Sequence, residues 1–332
     1  MRHKAQRQRY DAVLLAVSLA VLLVVVATAA VRAVHPRPPP RLSDIQLLPP
    51  QGYEAPPAAA PGAVRLGVVC MTKDPLAFQT WLRHHQDVGV CHYFLCIEDT
   101  PSLFPLVQSA EWSSSVTTTY ATGVQSYFSQ MSRQERHVNR SIVAARQRGI
   151  THLAHIDDDE LLYCPSGQSA LHDYLATGSG ACLHLRNIEA VYSHSDCVNP
   201  FRSTQWFCVR PTDFTAYTNG KSIGVLARAS VRARGPHFFT GSVSEIPTHV
   251  AVVVHYESSC LHKWQRKFAA YAADSPTACS DGEIPFRFYC DSMDAVSRSD
   301  RAATWARWKT KPVLGDGMVA LQVLSDRVAD HE

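Results

Sequence analysis

The chain has 332 residues, 46% of them hydrophobic, with a formal net charge of +3. That length holds one large domain or two small ones with ample core. The near-balanced charge, with no basic stripe interleaved with aromatics, argues against a nucleic-acid binder. Excess positive charge gathers at the N-terminus, beside Ala12–Val31, 20 residues whose only polar members are Ser18 and Thr28. As a helix this run reaches about 30 Å, enough to cross a bilayer core. Arg2, Lys4, Arg7 and Arg9 precede it and favour a cytosolic N-terminus. A signal-anchor over 12–34 is the expectation, after a tail over 1–11. The alternative is a cleaved signal peptide ending near Ala27-Thr28-Ala29. Residues 35–62 hold nine prolines and read as an extended stem. Such a layout fits a membrane-tethered enzyme with a lumenal domain over 63–332, and equally a receptor ectodomain.

The lumenal part alternates strand and helix. Val64–Cys70 reads as a buried strand, followed by a Lys73-Asp74-Pro75 loop. Phe78, Trp81, Leu82, His85 and Val88 then fall at helical spacing, with Gly89 as the stop. Cys91–Ile97 is a second strand, Val116–Tyr120 a third, Ser129–Arg148 a helix and Thr151–Ile156 a fourth strand. This order predicts an α/β fold with a mostly parallel sheet and helices on both faces. Asp74, Asp99 and Asp157 then sit just beyond strand carboxyl ends, where such sheets bind ligands. Beyond Leu162, strands are expected at Ala181–Arg186, Trp206–Val209, Lys221–Leu226 and His249–His255, with a loop from Asn187 to Gln205. Ser258–Tyr271 reads as an amphipathic helix, and Trp305 and Trp308 close a last one.

The densest chemistry is Asp157-Asp158-Asp159-Glu160, set between apolar segments. Adjacent carboxylates repel one another, so leaving them between apolar segments costs stability unless a cation neutralises them. Strand alternation points Asp157 and Asp159 to one side, where both can reach one Mg²⁺ or Mn²⁺ ion that also carries a substrate phosphate. The competing reading is an acidic turn with a helix cap.

Several stretches in order carry a resemblance: the Lys73-Asp74 loop, Phe78–His85, Gly89-Val90, His92-Tyr93-Phe94, Ile156–Leu162, Asn219–Val225 and His255–Lys267. Together they resemble the GT-A glycosyltransferases of the family 92 (DUF23) and related family 2-like clan, over about 200 residues. The family's Lys-Asn-Glu is here Lys73-Asp74-Pro75, and its Asp-Asn after the second strand is Glu98-Asp99. Both departures fall where a nucleotide base and ribose would sit.

The resemblance implies a Golgi or endoplasmic-reticulum type II membrane hexosyltransferase, acting on a glycan or glycoprotein hydroxyl with a nucleoside-diphosphate sugar as donor. Asp157 and Asp159 would hold Mn²⁺ or Mg²⁺ on the donor diphosphate, with His255 completing the shell. Lys221, which the Asn219-Gly220 turn is expected to leave near a sheet edge, is the candidate diphosphate contact, and Asp74 and Asp99 are the candidates for base and ribose. Gln134 and Asn139 are further candidates to face the nucleotide. Transfer with inversion requires a general base; Glu189 is preferred, with Asp213 second.

Ten cysteines fit an oxidising lumen. Cys197 with Cys208, and Cys279 with Cys290, are close enough to bridge loops. Two other functions use the same carboxylates: a lumenal carbohydrate- or partner-binding module holding Ca²⁺, and a metal-dependent hydrolase.

Overall fold

In the computed structural model the described residues are 45–47, 64–123, 127–214, 218–298, 308 and 318–325. All belong to one compact unit, Ser43–Glu332. Strand β1 (Leu66–Thr72), helix α1 (Phe78–Asp87), strand β2 (Val90–Glu98), short helix α2 (Phe104–Val107), strand β3 (Val116–Ala121), helix α3 (Tyr127–Gln147) and strand β4 (His152–His155) follow one another. β1 pairs in parallel with both β2 and β4, and β2 pairs in parallel with β3.

Period-two burial on β1 covers both faces of this sheet. Leu66, Val68 and Cys70 pack with Phe78, Trp81 and Leu82 of α1. Val69 packs the other way, with Val138, Ile142 and Ala145 of α3. A strand buried on both sides carries a continuous apolar run, and β1 reads Leu-Gly-Val-Val-Cys.

After β4 the chain forms β5 (Glu160–Tyr163), α4 (Gln168–Thr177), β6 (Cys182–Leu185), β7 (Asn187–Val191), α5 (Pro200–Ser203), β8 (Trp206–Cys208) and β9 (Lys221–Val225). A small ribbon, β10 (Ala233–Arg234) with β11 (Phe238–Phe239), precedes β12 (Val243–Glu245) and β13 (Val252–His255). Helices α6 (Leu261–Asp274) and α7 (Arg287–Ser297) and strand β14 (Met318–Ala320) complete the described elements. The main sheet runs β12-β6-β9-β4-β1-β2-β3, and β9 lies antiparallel between β4 and β6. A second, largely antiparallel sheet runs β14-β8-β7-β13-β5.

The acidic run is the joint between the two sheets: β4 ends at His155 in the first and β5 starts at Glu160 in the second. Helices α6 and α7 have their own core around Trp264, Phe268 and Phe288.

Four expectations change. Asn187–Val191 is a strand and not part of a loop: Ile188 and Ala190 are buried, and pairing with β13 satisfies the backbone. Within the stretch expected to be stem, Ile45 is buried and its amide donates to the Val209 carbonyl at 2.7 Å, so that short piece joins the core. Cys197 is bonded to Cys260 and not to Cys208, which is a buried free thiol; Cys279–Cys290 forms as expected. Lys221 lies on an interior strand and not at a sheet edge. Among the described residues no helix is long and apolar enough to cross a membrane. The expected span over 12–34, the rest of the stem and Trp305 lie outside them.

Candidate metal and nucleotide site

The site is built where β4, β5 and β13 meet. The turn that carries the four carboxyls is fixed from behind. The Trp81 indole N–H lies 3.1 Å from the Asp157 carbonyl and 2.8 Å from the Glu160 carbonyl. Glu160 Oε2 accepts the Asp157 amide at 2.8 Å, closing the turn on itself. Thr72, at the end of β1, donates to Asp158 Oδ2 at 2.6 Å.

β13 supplies the other half. Its register sets His255 opposite Glu189 on β7 and opposite Glu160 on β5. The Tyr256 amide donates to the Asp159 carbonyl at 2.7 Å, which carries the pairing past the strand end. Period two then puts Glu257 on the same side as His255. His255 Nε2 is 3.8 Å from Asp159 Oδ2 and 3.6 Å from Glu257 Oε2. One ligand atom from each of Asp159, His255 and Glu257 lies within 4.8 Å of the others.

Behind this triad, Glu189 accepts from His255 Nδ1 at 2.9 and 3.1 Å, and Asn187 Nδ2 donates to Glu189 at 2.6 Å. That bond fixes the tautomer and leaves Nε2 for the triad. Burial pushes the His255 imidazole down, but the charge and hydrogen bond of Glu189 raise it to about 10. The triad therefore attracts positive charge, as a proton or as a metal ion that displaces it.

Asp157 faces a different partner. It is not in the triad; Lys221 Nζ donates to its Oδ2 and Gln134 to its Oδ1 at 3.1 Å. Burial opposes its ionisation, yet Lys221 holds it down at about 2. Lys221 also lies 3.4 Å from Glu160 Oε2 and is fully buried. Burial and the neighbouring Asp159 push Asp158 up to about 7, and burial alone is the largest influence raising Glu160 to about 7.

A cleft of about 1240 Å³ opens over the turn. Asp157, Asp158, Asp159, His255 and Glu257 line it, with Asp74 and Asp99. Asp74 receives Arg266 at 2.6 Å and Lys263 at 3.6 Å from α6, and its amide donates to Thr100 Oγ1. Asp99 receives Lys73 at 2.9 Å and the Gly123 amide at 2.7 Å. Lys267 reaches Glu257 at 3.0 Å. Lys263, Arg266 and Lys267 all line the cleft.

These contacts bear on several residues assigned from sequence. Asp157 does not share a triad with Asp159; its charge is already met by Lys221. Lys221 does not line the cleft, because it is consumed by Asp157 and Glu160 beneath it. Glu189 is completely buried and held by His255 and Asn187, so it orients the histidine and does not face an acceptor. Asp213 is also outside the cleft lining and lies 3.7 Å from Arg210. Gln134 lines the cleft, whereas Asn139 accepts the Ala233 amide on the far side of α3. Sequence reasoning missed Glu257. The signal was present in His255-Tyr256-Glu257, where a strand end puts alternate residues on one side.

The donor set suits a divalent cation. Two carboxylates and an imidazole meet the preferences of Mn²⁺ and leave positions for phosphate oxygens; Ca²⁺ asks for more oxygens than the triad offers.

No family model matches the chain, and no curated protein matches it. Among solved structures the chain is similar to HddC from Yersinia pseudotuberculosis complexed with GMP-PN, at 10% identity over 57% of this chain and 92% of that one, with a TM-score of 0.29. It is similar to the inositol-1-phosphate CTP transferase from T. maritima at 9% identity, covering 60% and 92%, with a TM-score of 0.28. A third, Rv0371C with manganese from Mycobacterium tuberculosis, shares 12% identity over 37% and 65%, with a TM-score of 0.24. Likenesses this slight carry no argument about what this chain does.

Proposed function

We propose that the chain is a metal-dependent glycosyltransferase of GT-A type, moving a hexose from a nucleoside-diphosphate sugar to a glycan or glycoprotein hydroxyl. The observation that carries this reading is the Asp159–His255–Glu257 triad, at the strand ends of an α/β sheet and inside a cleft of ligand size. The order of motifs that resembles the family 92 clan agrees with it. With the Ala12–Val31 segment as an anchor, the domain works in the lumen of the Golgi or endoplasmic reticulum.

Asp159, His255 and Glu257 would hold a divalent cation, which would offset negative charge on a departing nucleoside diphosphate. The rest of the work falls to side chains. Glu189 holds His255 by its Nδ1 and so aims Nε2 at the cleft. The first turns of α6 bring Lys263, Arg266 and Lys267 to the cleft wall, where they favour an anion. Asp74 and Asp99, each at a strand end with positive φ, tie the loops that would surround a base and ribose. The transfer is read as inverting.

The test is calorimetry with a panel of nucleoside diphosphates, with and without Mn²⁺, followed by incubation of the matching nucleotide-sugar with glycan acceptors. Metal-dependent binding of one base and a glycosylated product support the reading. A folded protein that binds Ca²⁺ and ignores every nucleotide is instead the lumenal binding module.

A further inference from the structure

Helix α3 and the segment around β10 bring together arginines that are far apart in sequence. Residues 127–148 and 226–237 contain Arg133, Arg136, Arg140, Arg146, Arg148, Arg228, Arg232 and Arg234, a single acid, Glu135, and no lysine. Two of these arginines build the surface. Arg146 donates to the carbonyls of Leu226, Arg228 and Ala229, at 3.2, 2.9 and 3.3 Å. Arg232 donates to those of Ala229 and Val231. Asn139 accepts the Ala233 amide at 3.0 Å, so the segment is bound along one side of the helix. Arg133 belongs to the cleft, where it pairs with Glu98.

Arg136, Arg140, Arg148, Arg228 and Arg234 remain, all exposed. Among the described residues none of them has an ion-pair partner; Arg234 lies over the Phe238 ring at 5.7 Å. Helical spacing puts Arg136, Arg140, Val143 and Gln147 in one exposed stripe, adjacent to the side that holds the segment. From Arg136 to Arg148 this surface is about 18 Å long.

We infer that this face docks an anionic glycan chain, one bearing sulfate or carboxylate groups. A solvated charged face ordinarily mixes signs, and this one does not. The cations are all guanidinium groups, whose planar fork gives two parallel hydrogen bonds to a pair of oxyanion oxygens and which shed water more easily than ammonium. Their linear spread suits repeated charges on a polymer, and the stripe carries one exposed apolar side chain, Val143, which leaves little to insert into a lipid surface. The face lies outside the cleft lining, so docking there and chemistry in the cleft are separate events. That the docked chain also carries the acceptor hydroxyl rests on the transferase reading; the docking does not.

The experiment compares the full-length protein with its Arg136→Ala/Arg140→Ala/Arg228→Ala/Arg234→Ala variant. Binding of a sulfated glycosaminoglycan octasaccharide, and of the same octasaccharide after desulfation, is measured at two salt concentrations. Nucleoside-diphosphate binding with Mn²⁺ is measured on the same preparations. The wild type should prefer the sulfated chain with a strong salt dependence, and the variant should bind it at least about tenfold more weakly. Equal binding by variant and wild type overturns the inference, as does binding of the sulfated chain that does not weaken with salt. Stronger capture by vesicles containing anionic phospholipid overturns the choice of a glycan. Nucleotide binding reports on the transferase reading alone, so the two can fail separately.

Discussion

His255 Nδ1 sits 2.9 Å from the carboxylate of Glu189, a residue opposite it in the β7–β13 register. This one contact decides what both residues do. It holds the buried Glu189 carboxylate behind the imidazole and turns His255 Nε2 toward Asp159 and Glu257. A carboxylate behind a metal-ligating histidine raises the basicity of the imidazole and fixes its ring.

Glu189→Gln should therefore weaken Mn²⁺ binding about 10- to 100-fold, with turnover recovering as Mn²⁺ is raised. Isothermal titration and a metal dependence of activity measure this. Lost turnover with unchanged metal affinity would restore Glu189 to the role of general base.

Lys221 is fully buried against Asp157 and Glu160. Burial depresses its ammonium, but the two carboxylates raise it well above the usual range. Lys221→Met leaves those carboxylates unpaired and should cost about 3–5 kcal/mol in urea unfolding. Adding Asp157→Asn should return part of that loss. A single variant as stable as wild type would mean that the pair is not formed.

Much of this was legible in the sequence. Apolar periodicity gave the β1–β4 core, because strands buried on both faces and a helix with one apolar stripe leave strong patterns. Strand-end logic brought Asp74, Asp99 and Asp157 to one cleft. Pairing between distant strands was not legible. Only the β7–β13 register reveals that Glu189 supports His255, and only the position of β9 between β4 and β6 reveals that Lys221 is buried. The Cys197–Cys260 bridge spans 63 residues and no short spacing marks it.

That disulfide joins the loop after β7 to the start of α6. Closing a loop of this length contributes about 4 kcal/mol in the chain-entropy account. Cys197→Ser/Cys260→Ser should lower the melting temperature markedly, whereas Cys208→Ala, which breaks no bridge and buries no hydroxyl, should lower it less. Equal effects from the two changes would contradict the pairing.

His152 lies at the start of β4, away from the cleft. Burial, followed by the charge of His172, lowers it from the ordinary value to about 4. A folded-state pKa below the unfolded one means that the unfolded chain binds the extra proton. The neutral histidine's stability is thus fully present above about pH 6.5 and is lost as pH falls toward 4. His152→Gln should flatten the fall of melting temperature with acid in that window. An unchanged slope would show that His152 titrates in the folded protein as it does in the unfolded chain.

In the proposed site Asp159, His255 and Glu257 hold the cation and Asp157 does not. The most direct measurement is Mn²⁺ affinity by calorimetry in wild type, Asp159→Asn, Glu257→Gln and Asp157→Asn. Loss of binding in the first two variants, with Asp157→Asn still binding, is the predicted result. Loss in Asp157→Asn with retention in Glu257→Gln would contradict it and return the metal to the two aspartates of the D-x-D.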